Sequence, residues 1–177
     1  MTAPTGNVLG VRGMAETVLA AVEDHFAAAG IALPERRAIA AGSPVEVAWD
    51  CEQLLVLLDS IGWGQAIDLA QDSPRAGNPF SAHALRHAVL AVQLVRCTPV
   101  GNARNAVPGR EALHTSGLQF MTDAGALSQA LVEACSRLRS GLDRDAHVQA
   151  GAITPAGPEG AFHGLQSTIA ITVGRFA

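Results

Sequence analysis

Residues 14 to 29, "MAETVLAAVEDHFAAA", set Val18, Val22 and Phe26 four apart while Glu16, Glu23 and Asp24 fall off that line. This is the period of an amphipathic helix. Gly30 and then Pro34 supply its stop signals. Residues 36 to 49 read as one or two short strands around a Gly42-Ser43-Pro44 break, with Val45, Val47 and Trp49 on one face. From Cys51 the run "CEQLLVLLDSIGWG" is apolar on both faces as far as Leu58, as a strand in the interior of a sheet would be. The longest strand expected is "RHAVLAVQLVRCTPV". Leu90, Val92 and Leu94 share one face, Val89, Ala91 and Val95 the other, and Pro99 ends the run.

Between these elements lie polar stretches rich in Gly, Pro and Asn, at 70–80 and 98–117, which are expected to project as loops. A second helix is expected from about Leu118 to Leu138, built on Met121, Ala124, Leu127, Leu131, Ala134, Cys135 and Leu138. A strand follows at 146–153, then a Pro/Gly loop at 154–163. In the final strand Leu165, Ile169, Ile171 and Val173 alternate with Gln166, Thr168 and Thr172, the pattern of a half-exposed strand. The order predicts an α+β fold, a mixed and mainly antiparallel sheet packed against two α-helices. One domain covers 1–177, with 1–13 a loose N-terminal segment.

Composition adds a bias toward assembly. Hydrophobic residues make up 49% of the 177-residue chain and charged residues 16%, so part of the apolar surface is expected to face another subunit. The formal net charge is -4, with twelve arginines and no lysine. That balance lacks the basic stripe that grips nucleic-acid phosphates. No apolar run approaches the ~20 residues of a membrane helix, and "MTAPTGNVLG" lacks the order of a secretory signal. The expectation is therefore folding in the cytoplasm without a membrane partner. Cys51, Cys97 and Cys135 are odd in number and widely spaced, and read as buried thiols rather than a disulfide framework.

Motifs for chemistry are weak. Neither a GxGxxG nor a GxxxxGK[ST] pattern occurs, so no nucleotide cradle and no cofactor is expected. His83 and His87 have helical metal-ligand spacing but straddle a strand start, which favours partly exposed histidines over a metal site. No GxSxG elbow is present, and Cys51 beside Asp50 leads into an apolar strand rather than an electropositive setting. The pairs Glu23 and Asp24, Asp50 and Glu52, and Asp143 and Asp145 fit a solvated helix face, a strand start and a polar turn as readily as acid-base work. No catalytic or metal residue is assigned. A small cytoplasmic enzyme would instead be marked by a deep pocket with converging polar groups.

Three motifs in order carry a resemblance: "VAWDCEQLLVLL" (47–58), "VQLVRCTPV" (92–100), and "PAGPEGAFHG" followed by a terminal strand (155–173). Together they resemble the tail terminator proteins of long-tailed phages that infect actinobacteria, across about residues 14 to 174. The chain departs from the family pattern at Ala161-Phe162, where relatives more often carry another Gly or Cys, and at Glu52, where a second Cys is frequent.

The resemblance implies a tail-terminator-like fold and a structural protein without catalysis, located at the virion neck. Such proteins form a ring, commonly of six subunits, that caps the tail tube, stops its polymerisation and joins it to the head-tail connector. DNA passes through the lumen without specific binding. A chain of this length has a radius of gyration near ~16 Å, so six side by side leave a hole wider than a duplex. Ring closure needs one patch meeting a different patch. Another neck protein, such as a stopper or adaptor, or a tube subunit is the alternative within the same class. Interface candidates are Arg75, Asn78, Arg104 and Arg110 in the first two loops, and Pro155, Pro158, Glu159 and Phe162 in a hairpin-like arm from Thr154 to His163.

Overall fold

The computed structural model describes residues 10–40, 52–64, 85–99, 108–142, 146–159 and 162–173. Helix α1 spans Val11–Ala28, three residues earlier than its apolar spacing suggests. The Arg12–Glu16 pair, four apart at 2.7 Å, belongs to this extra turn, so the loose N-terminal segment expected through residue 13 is helical from Val11. Gly30 at φ +68° closes the helix as a Schellman cap: Ile31 N–H donates to Phe26 C=O and Gly30 N–H to Ala27 C=O.

Strands β1 (Arg36–Ala40), β2 (Gln53–Gly64) and β3 (Leu85–Cys97) follow, then helix α2 (Arg110–Gly141) and strands β4 (His147–Ala150), β5 (Thr154–Glu159) and β6 (Phe162–Val173). They make a mixed six-stranded sheet in the order β1-β2-β3-β6-β4, with β5 also paired to β6. Among these described strands, only the β1–β2 pair is parallel. The expected α+β class is what the chain adopts.

Both helices lie on one face. Val18, Val22 and Phe26 of α1 and Leu127, Leu131 and Leu138 of α2 pack against Leu54, Val56, Leu90, Val92, Leu94, Leu165, Ile169 and Ile171 of the sheet. The opposite face is buried too, with a second cluster of Leu55, Leu57 and Ala91. The two faces of β3 are therefore divided as the alternation predicts. β6 is a correction: Ala170 and Thr172, on its expected outer face, are buried, because the sheet face away from the helices is itself buried, as it is at Leu55, Leu57 and Ala91. His87, expected to be partly exposed, is likewise buried within β3.

Two further differences shape the end of the molecule where β3 stops. The stretch 98–117 is not a loop throughout, because α2 begins at Arg110. From there to Thr122 only Ser116 and Phe120 are even half-buried. Apart from Phe120, which packs against the core, these 13 residues, about 20 Å of helix at ~1.5 Å per residue, extend beyond it. Met121, placed by its spacing among the core residues, is accordingly 71% exposed. The Pro/Gly stretch at 154–163, expected as a loop forming a hairpin-like arm, is a hairpin whose first limb is itself a strand: β5 pairs along β6 from Thr154↔Gln166 to Glu159↔Phe162, with an irregularity between Ala156 and Glu159.

Candidate functional site

At the end of the sheet where β2 begins and β3 ends, Arg96 joins four elements. Its Nε and Nη2 donate to the two carboxylate oxygens of Asp123 on α2, at 2.9 and 3.1 Å. Nη1 donates to Glu52 Oε2 at 2.9 Å and Nη2 also to the carbonyl of Ala32 at 2.7 Å. Gln119, one turn before Asp123, donates to Asp123 Oδ1 at 2.9 Å. This forked, two-point pairing is available to Arg and not to Lys. Burial disfavours the guanidinium charge, but the hydrogen bonds and attraction of Asp123 and Glu52 outweigh it and hold the Arg96 pKa above the ordinary arginine value.

Glu52 has φ +60°, a left-handed conformation that costs a side-chain-bearing residue on the order of 1 kcal/mol or more. Its surroundings explain why the conformation persists. The carboxylate accepts from Arg96 and from the Cys97 backbone N–H, and its carbonyl accepts from Arg36 N–H at the start of β1. The backbone turn at Glu52 thus ties the start of β1 to the end of β3. Cys97 itself is exposed and disulfide-bonded, which corrects the reading of three buried thiols. Cys135 is a buried free thiol whose pKa burial raises, against opposing effects of Arg139 and the Ala150 backbone. Cys51 lies outside the described residues.

Beside this staple, His163 on β6 meets Thr98 (Nδ1 to Oγ1, 3.0 Å) and the ring of Phe120, edge to face at a centroid distance of 5.2 Å. Burial is the main cause that lowers its pKa. Asp123 opposes that shift, Arg96 adds to it and Glu52 opposes it. The Nε2 atom of His163 is buried without a hydrogen-bond partner among the described residues. A Thr–His pair acting as nucleophile and base needs a third group to orient the imidazole, and no carboxylate of the described residues bonds to Nε2.

Two open depressions share Thr98, Ser116 and His163. The larger, about 980 Å³, has Glu52, Arg96, Glu111, Thr115 and Gln119 on its walls. The smaller, about 320 Å³, lies between Leu113, Gly117, Phe120 and Met121 of α2 and Pro155, Ala156 and Gly157 of the hairpin. The projecting half of α2 and the β5–β6 hairpin thus flank a mainly apolar groove that opens to solvent.

Of the interface candidates, Pro155 lines that groove. Arg110 opens α2 and is exposed, and Phe162 is half-buried at the start of β6. Pro158 and Glu159 belong to the end of β5, where the Glu159 backbone pairs with Phe162. The side chains of Pro158 and Glu159 lie outside the described residues, as do Arg75, Asn78 and Arg104 entirely.

The sequence reading missed Arg96, Asp123, Thr98 and His163 as a group, and it missed Leu113 and Phe120 as groove walls. A signal was present in two of them: a charge ending an apolar strand at Arg96, and a carboxylate among helical core positions at Asp123. Buried charges of this kind are paired. Among the described residues no cluster of His, Cys, Asp or Glu could hold a metal ion. No helix among them is long and apolar enough to cross a membrane. No protein-family model matches the chain, and no curated protein matches its sequence.

Proposed function

We propose that this protein is a tail terminator: a ring-forming structural subunit that caps a phage tail tube, stops its polymerisation and joins it to the head-tail connector. The observation that carries the reading is the projecting half of α2, whose Leu113, Leu118 and Met121 are 44, 56 and 71% exposed beside the β5–β6 hairpin. Solvent-facing apolar residues on a rigid helix, next to a strand hairpin, are the kind of surface that another chain covers. The three ordered sequence motifs support the same reading and supply its finer content, namely a ring that is commonly hexameric, the tube protein and the connector as partners, and a place at the virion neck. A net charge of -4 suits a lumen through which DNA slides without being held.

A second reading, a small ligand-binding enzyme, draws on the cleft of about 980 Å³ into which Glu52, Glu111, Gln119 and His163 converge. One experiment separates the two. Tail-tube subunits are polymerised in vitro with increasing amounts of the purified protein, and tube lengths are measured by electron microscopy. Shortened tubes carrying a ring at one end are expected, whereas lengths indifferent to the protein would refute the terminator reading.

A further inference from the structure

Two surfaces of the chain are unlike each other and fit together. The first is the edge formed by β1 and β2, where Ile39, Leu58 and Ile61 are 42, 39 and 53% exposed. Register places all three on the helix-bearing side of the sheet: Ile39 pairs with Val56, Leu58 with Leu90 and Ile61 with Ala88, and Val56 and Leu90 point into the core under the helices. Residues three apart on a regular strand face opposite ways. Leu58 and Ile61 face the same way because the pairing slips between Leu58 and Ser60, which leaves Asp59 as the extra residue of a bulge. The irregularity therefore gathers two aliphatic side chains on one face and leaves Asp59 exposed between them in sequence.

The second surface is the outward stripe of α2. Arg110, His114, Leu118, Met121, Gly125 and Val132 recur at intervals of three, four and seven, so they share one side of the helix. All six are exposed, and Val132 reaches 64%. The buried residues Leu127, Leu131 and Leu138 mark the other side. The outward stripe lies apart from the β1–β2 edge, since α2 packs against α1, β4 and β6, and β4 and β1 end the sheet on opposite sides.

We propose that successive copies of this chain meet head to tail, with Ile39, Leu58 and Ile61 of one copy seated on Leu118 and Met121 of the next and Asp59 pairing with Arg110 across the joint. The inference rests on the ring reading and assigns its contact faces. Charge complementarity selects a second copy as the occupant. Asp59 and Arg110 are exposed, opposite in sign and adjacent to the two aliphatic patches. Among the described residues neither has an ion-pair partner of its own, unlike Arg37 on the same edge, which binds Glu23 at 3.0 Å. Because the two patches differ, the contact is heterologous and passes from copy to copy instead of ending at a pair, closing into a ring where the rotation between copies allows it.

Charge reversal tests the joint. Asp59→Arg, Arg110→Asp, the double reversal and Met121→Asp are compared with the natural chain by light scattering over a concentration series, with circular dichroism to establish that each is folded. Arg110→Asp places an acid in the first turn of a helix, which favours folding. Each single reversal is expected to raise the concentration for ring assembly at least about tenfold, the double reversal to restore it, and Met121→Asp to abolish it. A natural-chain ring that single reversals leave intact would overturn the assigned faces while sparing the ring reading. Loss of assembly with Met121→Asp but not with Asp59→Arg would also overturn them, because it would match a symmetric α2–α2 contact. A natural chain that stays monomeric at every concentration, with or without tail tubes, would overturn both.

Discussion

Replacing Arg96 by methionine keeps most of the side-chain volume and removes the charge that four elements share. Asp123, whose side chain is 1% exposed, would lose both of its bonds to Arg96 and keep the one from Gln119. Glu52 is different, because its side chain is 37% exposed and water can replace the lost contact. The main cost is therefore one uncompensated buried carboxylate. Breaking a buried ion pair from one side costs roughly 3–5 kcal/mol. For a chain of this size that corresponds to a fall in Tm of about 6 to 20 °C. The assay is urea and thermal unfolding followed by circular dichroism, repeated at two protein concentrations so that any contribution from association is separated from the stability of the chain itself. A double variant, Arg96→Met with Asp123→Leu, is expected to recover most of the loss, since an apolar pair can replace a buried ion pair at little cost. A single-variant cost below about 1 kcal/mol, in the range of exposed pairs, would refute the staple as described.

Three more outcomes are expected, two from the β3–β6 region and one from the hairpin. Gly164→Ala would put a Cβ 2.9 Å from the Leu94 backbone oxygen on β3, so a loss of about 1–3 kcal/mol is expected in urea titration, and an unchanged midpoint would contradict this close approach. His163 has a folded pKa below its ordinary 6.5, so the unfolded chain takes up its proton first and the stabilisation present above pH 6.5 is lost as the pH falls through the window below it. His87 is shifted the same way by burial, so unfolding measured from pH 7 to 5 is expected to show falling stability, with a shallower slope in His163→Gln. Equal slopes in the two proteins would count against the burial of this imidazole. Removing Gly157 to Gly160 from the hairpin is expected to abolish tube capping while the chain still folds, and normal capping would leave the hairpin without a contact role.

What the sequence disclosed depended on whether burial imposes a period. Val18, Val22 and Phe26 on α1, and the two apolar faces of β3, were legible because each position packs against something within the chain. The first turns of α2 were not. Residues 110 to 117 rest on little else, so no buried stripe shapes their sequence and they resemble a polar connection. The same geometry explains Met121, an apolar residue at helical spacing whose side turns away from the core. Helical spacing reveals that residues share a side, but not which side faces inward. The Pro/Gly composition of 154–159 hid a strand, and an edge position explains why it is tolerated there: Pro155 sits in β5, which pairs to β6 on one side. At Glu52 a left-handed backbone was illegible because it is held by tertiary contacts to Arg96, Cys97 and Arg36 rather than by a local glycine. The disulfide state of Cys97 was hidden for a related reason, since wide spacing in sequence does not constrain distance in the fold.

On the proposed terminator reading, the exposed apolar surfaces of this chain are covered by other copies and by the ends of a tail tube. Light scattering after size exclusion, across a concentration series and with or without tail tubes, tests it most directly. A discrete ring, formed either alone or on adding tubes, is the predicted result. Open-ended filaments would make the protein a tube subunit instead, and a strict monomer indifferent to tubes would contradict the claim.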